Sequence, residues 1–259
     1  MPNPKRPKSE NTLLFNGFSP KTFIFLKGLK ENNTKPWFES HRREYEEVLL
    51  HPFQNLVRTL TPYMIEIDPT FEILPLTKLI SRIYRDIRFS KDKSPYRPNM
   101  WLSFKRATKD WKNDPVYFFE LMPDSYRYGV GFYTPTKSTM NALRARIEEE
   151  PEDIIQYNIL FTPNSCFELL GAQYKRPLKS LVPLPPELVT WYQRKEIYVM
   201  CTRPIEPILF HNNLIEEIRK AFTFLKPLYY LFWNLRNAGV ENIDESGKIA
   251  PRPLTGSCQ

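Results

Sequence analysis

Four short β-rich runs follow one another in the middle of this chain: Leu79 to Phe89, Met100 to Lys105, Val116 to Met122 and Tyr126 to Tyr133. Pro, Asp and Lys separate them, and the links are short. Successive strands with short links form an antiparallel meander. Helical patterns flank this block. Ser19-Pro20 opens a first helix that Asn32-Asn33 closes, with Ser at the N-cap and Pro in the first turn. A second helix starts near Thr34-Lys35-Pro36 and carries Phe38, Tyr45, Leu49, Phe53, Leu56 and Leu60 at helical spacing. Pro52 should kink or split it. After the strands, Thr134-Pro135 caps a helix to about Glu149, Glu152 to Leu160 reads as another, and a further helix runs near Glu187 to Arg194. Phe167 to Tyr174 and Ile197 to Thr202 read as strands. Asn212 to Arg236 is a long amphipathic helix with a break at Pro227. These patterns predict one α+β domain over residues 14–238, a mostly antiparallel sheet packed with helices. Residues 1–13 and 239–259 are polar, Pro-containing stretches expected to be tails.

The chain has 259 residues, within reach of a single core. Gly is scarce at 8 and Pro abundant at 25, which argues against glycine-rich nucleotide loops and for many fixed turns. No apolar run approaches the ~20 residues of a membrane span, and the opening residues carry no apolar core of a signal peptide. A soluble, cytoplasmic protein without a membrane partner is expected. Cys166, Cys201 and Cys258 are odd in number and far apart. They offer neither a disulfide framework nor a zinc pattern, so incidental thiols in a reducing compartment are expected. His41, His51 and His211 lack metal-ligand spacing, so no metal site is assigned. No motif identifies a cofactor.

Charge is the informative property. The chain carries a net +8, and the window from Lys78 to Lys112 accounts for all of it, with 11 Lys and Arg against Asp86, Asp92 and Asp110. Concentrated positive charge points to an anionic partner. Within the window, strand alternation puts Arg82, Tyr84, Asp86 and Arg88 on one face, and Ile83, Arg85, Ile87 and Phe89 on the other. Asp86 either orients Arg88 or serves as a general base. Arg85 sits among apolar residues and needs a carboxylate or a bound anion; Glu120 is a candidate carboxylate. Ser90 to Pro95 makes a polar turn whose hydroxyls, amines and backbone N–H groups can surround an anion. Tyr96 follows as a hydrogen-bond donor or stacking ring. The candidate ligand set is therefore Arg82, Arg85, Arg88, Ser90, Lys93 and Tyr96, with Asp86 as the candidate catalytic group. Asp86 and Asp92, six apart, are a weak basis for a divalent metal.

The residues Arg82, Arg85, Asp86, Arg88, Phe89, Lys93 and Tyr96 fit the pattern R-x-x-R-D-x-R-F-x-x-x-K-x-x-Y. In this respect the chain resembles a family of uncharacterised conserved proteins, a domain of unknown function. Asn32-Asn33, Trp37-Phe38, Tyr45, Gly131 with Pro135, Arg144, Gly171, Lys175-Arg176-Pro177 and Lys195 fit the same family pattern. The resemblance runs from about Phe15 to Leu235. It implies a single domain with a shared site and brings no reaction with it.

Three functional readings follow. The first is a binding protein or enzyme for a small anion, a phosphate or carboxylate compound, held by the Arg, Lys, Asp and Tyr cluster. The second is nucleic-acid binding through the basic window and the nearby Trp101, Phe104 and Trp111. The third is a structural or interaction domain in which the charged cluster stabilises the sheet. No Ser-His-Asp, HExxH or P-loop motif selects a reaction. Tyr128-Gly-Val-Gly131 puts two glycines on one strand face, where a ligand or another backbone can approach closely.

Overall fold

The computed structural model describes residues 15–71, 75–88, 91–109 and 111–241. The expected tail at 1–13, together with Phe89 and Ser90, lies outside them. Helix α1 (Pro20–Glu31) follows Ser19 in extended conformation, and the Ser19 N–H donates to Thr22 Oγ1 at 3.2 Å. The next helical stretch is broken into α2 (Lys35–Ser40), α3 (Arg42–Tyr45), a π-helical turn (Glu46–Leu50) and α4 (His51–Ile67). Pro52 explains the wide turn. It has no N–H to give the carbonyl four residues back, and its ring crowds that group. That carbonyl, on Val48, instead accepts the buried Thr22 hydroxyl at 2.7 Å.

The five-stranded antiparallel sheet has the order β1-β2-β3-β5-β4. Its strands are β1 (Met100–Phe104), β2 (Pro115–Leu121), β3 (Ser125–Phe132), β4 (Phe167–Leu170) and β5 (Tyr198–Pro204). The expected strand from Leu79 to Phe89 is corrected. Leu76–Leu79 is a short helix, α5, and residues 80–88 touch the ladder only through single bridges, Ile80 to Leu102 and Tyr84 to Tyr96. Ser81 engages both backbone groups of Trp101, after which the chain turns back on itself: Arg85 N–H donates to Pro95 O and Arg97 N–H to Ile83 O. Pro95 and Pro98 supply no N–H, so a continuous ladder cannot form there. The result is an irregular arm, described over residues 80–88 and 91–98, folded against the β1 edge.

The remaining helices are α6 (Lys137–Glu149), capped by Thr136 rather than Thr134, α7 (Glu152–Ile155), α8 (Pro186–Tyr192), α9 (Asn213–Phe224) and α10 (Lys226–Glu241). Pro227 falls in the first turn of α10, which accounts for the break after α9. The helix runs three residues past the expected domain limit at 238. No described helix is long and apolar enough to cross a membrane.

One face of the sheet is the core. Tyr117 lies 4.8 Å from Phe222 of α9 and 4.9 Å from Tyr229 of α10, ring centre to ring centre. Phe119 meets Phe53 of α4, and Phe132 meets Phe232 of α10. Each such side chain, fully buried, contributes about 1.5–3 kcal/mol. Burial of aromatic rings on this face is what fixes which residues point the other way.

One turn and one close strand contact depend on glycine. Gly171 ends β4 at φ 123°, and a Cβ there would lie 2.0 Å from Glu196 O. A Cβ on Gly131 would lie 2.2 Å from the Tyr198 Cβ, so this glycine lets β5 press closely on β3. The close approach read from Gly129 and Gly131 is therefore by another backbone. The cysteine expectation is corrected too. Antiparallel pairing places Phe167 opposite Cys201, and Cys166, one residue earlier, is paired with Cys201 as a disulfide. A separation of 35 residues gives no hint of this in the sequence.

Candidate functional site

Alternation in the strands leaves the second sheet face with a different set of side chains. Trp101, Ser103, Phe118, Glu120, Arg127, Tyr198 and Met200 all point there, with Gly129 and Gly131 between them. The arm rises on one side, and Trp111 and Tyr133 stand at the other end with ring centres 5.9 Å apart. Together they enclose a cavity of about 480 Å³. That is within the ~300–1,000 Å³ range of small-molecule sites.

The polar end of the cavity is built across three strands. Trp101 is opposite Glu120, and Glu120 is opposite Arg127. The Glu120 carboxylate is buried and accepts from Arg127 Nε at 2.5 Å and from Asn99 Nδ2. Cross-strand placement of opposite charges makes this pair self-sufficient. Arg97 is different. Its guanidinium lies 5.1 Å above the Trp101 ring, and it forms no salt bridge among the described residues. Arg85 also lines the cavity. One of its terminal nitrogens is 2.9 Å from Asp92, while its Nε is buried and unbonded. Buried donors without partners are rare, and functional sites are one of the places where they occur.

The structure does not bring the sequence-predicted residues together at this cavity. Of Arg82, Arg85, Arg88, Lys93 and Tyr96, Arg85 alone borders the cavity. Arg82 is exposed. Arg88 is exposed and makes a two-point contact with Asp86, at 3.0 and 2.7 Å. Lys93 Nζ donates to Ile87 O at 2.9 Å. Tyr96 is buried, stacked on Phe38 with ring centres 4.2 Å apart. Asn33 holds its backbone from both sides, giving Nδ2–H to Tyr96 O and accepting from Tyr96 N–H, each at 3.0 Å. The turn is not an open nest, since Ser94 gives its N–H and its hydroxyl to Asp92. Ser90 lies outside the described residues. Arg85 finds Asp92 rather than Glu120, because Glu120 is already taken across the sheet.

Asp86 is paired with Arg88. The side-chain and backbone hydrogen bonds from Arg88 hold its carboxyl down at about 2. A base of neutral-pH chemistry works best with a pKa near the operating pH. Most of the signature therefore builds and braces the arm, and the arm in turn presents Arg85 and Arg97 to the cavity.

The match to a known family covers most of this fold. Residues 21–230, from α1 into α10, match the family described as "Conserved hypothetical protein (DUF2461)". The chain belongs to DUF2461. No curated protein matches it. Within this DUF2461 chain, Arg97, Asn99, Phe118, Arg127 and Tyr198 are cavity residues that the sequence reading did not single out. A signal existed for Arg127. Glu120 and Arg127 are charges inside strands that are otherwise apolar, and such charges face a partner or a site. Among the described residues, no cluster of three or more His, Cys, Asp or Glu is arranged to hold a metal.

Proposed function

We propose that this DUF2461 protein binds a small anionic compound, a phosphate or carboxylate, in the cavity on the open sheet face. The observation that carries the reading is Arg97. It is a cavity-lining guanidinium over a tryptophan that forms no salt bridge among the described residues; Asp86, the carboxylate that feels its charge, is bonded to Arg88. Arg85 stands in the same lining with one ion pair to a half-exposed Asp92. Glu120 offsets Arg127, so the charge remaining at this end is positive. Arginine suits the role because its planar fork grips two oxygens and never deprotonates at neutral pH. Binding is the part of the reading with support; among the described lining residues, Glu120 is the carboxylate a reaction could use.

A nucleic-acid reading draws less support. Two cations of the basic window are engaged elsewhere: Arg106 by Asp68 and Arg88 by Asp86. The cytoplasmic location expected above belongs to the same proposal, with the Cys166–Cys201 pair as the feature that argues for a less reducing setting.

A thermal-shift screen of phosphate compounds, carboxylates, nucleotides and short oligonucleotides tests the proposal. Small anions at 100 times their Kd should stabilise the fold by about 2.7 kcal/mol. If oligonucleotides alone stabilise it, with an effect that collapses as salt rises, the nucleic-acid reading replaces this one.

A further inference from the structure

The cavity has two ends of different chemistry, and their spacing bears on what fits. The strand register sorts its floor into rows. Trp101, Glu120 and Arg127 form the polar row. Two residues further along each strand, Phe118 lies opposite Gly129, and Gly129 opposite Met200. After two more, Val116 lies opposite Gly131, and Gly131 opposite Tyr198. Four strand residues separate the first row from the last, about 13 Å. The floor thus changes from charged to apolar and aromatic over the length of a small organic molecule.

The glycines shape the apolar end. Gly131 lines the cavity there, and β5 packs closely where a side chain at 129 or 131 would stand. Phe118 stands on one side of the floor and Tyr198 on the other, next to Trp111 and Tyr133 at the rim. Tyr133 is 63% exposed and Trp111 is half-buried. Aromatic rings left partly open around a cavity floor are surfaces on which a planar ring stacks. The cation at this end, Lys105, is already placed on Trp111, its Nζ 3.5 Å from the ring centre.

We infer that the ligand is a planar aromatic or heteroaromatic ring joined to a phosphate or carboxylate, with the anion at Arg97 and Arg85 and the ring between Phe118, Tyr198, Trp111 and Tyr133. The inference rests on the anion-binding reading above and adds the ring to it.

Isothermal titration of the full chain with matched compounds tests it. The pairs are adenosine 5′-monophosphate against ribose 5-phosphate, and indole-3-acetate against acetate. Adenosine is the neutral control. In at least one pair the ring-bearing anion should bind about 10-fold more tightly, the yield of one stacking contact. Phe118→Leu, which keeps an apolar side chain, and Trp111→Leu, at the exposed rim, should each remove most of that advantage. Neither should alter binding of the ring-less partner. The second variant keeps the test valid if the first fails to fold. Equal binding of ring-bearing and ring-less anions overturns the inference and leaves the anion reading standing. Adenosine binding as tightly as its monophosphate overturns the anionic part. No binding by any compound overturns both.

Discussion

Arg106→Ala is expected to destabilise the fold by about 3–5 kcal/mol, the cost of leaving a buried charge without its partner. Asp68 is 1% exposed. Its carboxylate accepts from Thr70 N–H at 2.9 Å, Thr70 Oγ1 at 2.6 Å, Tyr229 Oη at 2.6 Å and Arg106 Nε at 2.8 Å. Arg106 in turn lies 4.1 Å over the Trp233 ring. Burial raises the Asp68 pKa, but hydrogen bonds from Thr70, Tyr229 and Arg106 outweigh it and the carboxyl ends below its ordinary 3.8. A carboxyl with a depressed folded-state pKa contributes stability that is complete above the unfolded value and lost as pH falls through the folded one. The wild type should therefore lose stability below about pH 4. In the variant one of the lowering bonds is gone, so Asp68 takes up its proton more readily and the gap to wild type narrows with acid. Adding Asp68→Asn to Arg106→Ala should recover part of the loss. Urea midpoints at pH 7, at about pH 4 and at about pH 3 read all of this. A full-sized loss that Asp68→Asn leaves untouched would mean the cost comes from Arg106 packing on Trp233.

Arg97→Ala is expected to weaken the cavity's anion by about 10- to 100-fold, the worth of a hydrogen bond to a charged group. Its melting temperature should stay close to wild type, because Arg97 supports no buried carboxylate. Arg85→Ala should also weaken binding. Its stability cost should be small, since Asp92 is 54% exposed and keeps its bonds from Ser94. Solvated ion pairs contribute little. Arg88→Ala is the control: it breaks the Asp86 contact on the outside of the arm and should leave affinity unchanged. Affinity by titration, set beside thermal melts of the three variants, separates these outcomes. Loss of binding in Arg88→Ala with none in Arg97→Ala would move the site to the outer face of the arm.

The helices and most strands are legible because their signals are local. Pro20, Pro52 and Pro227 mark helix starts or breaks, and the alternation in Tyr126 to Phe132 sets which side chains meet α9 and α10. The strand expected at Leu79 to Phe89 failed for a local reason as well. Its alternation is real as far as Arg85, with Ile83 buried and Tyr84 exposed. Alternation reports two-sidedness, however, and does not reveal that Pro95 and Pro98 leave no partner ladder. The site was half legible. Arg85 could be read as the inward member because it sits among apolar residues. Its partner could not, since Glu120 and Asp92 are equally carboxylates and only the sheet register decides between them. Arg97 carried no signal of its own. It becomes conspicuous only when the fold brings every other cavity charge to a partner. The cysteine pair is the same case, two residues made neighbours by strand pairing alone.

In the proposed function the open sheet face, and not the outer surface of the arm, receives the anion. The chain's five tryptophans report this directly. Trp101 and Trp111 line the cavity. Trp191 and Trp233 are buried elsewhere, and Trp37 stacks on His41 with ring centres 3.9 Å apart. In a ¹⁵N correlation spectrum, each indole N–H gives its own peak. Titration with the tightest compound from the screen should shift the Trp101 and Trp111 peaks together, saturating at the Kd found calorimetrically, while the other three stay in place. Saturable binding that leaves Trp101 and Trp111 unmoved, and instead shifts backbone peaks of Arg88 and Lys93, would contradict the proposal.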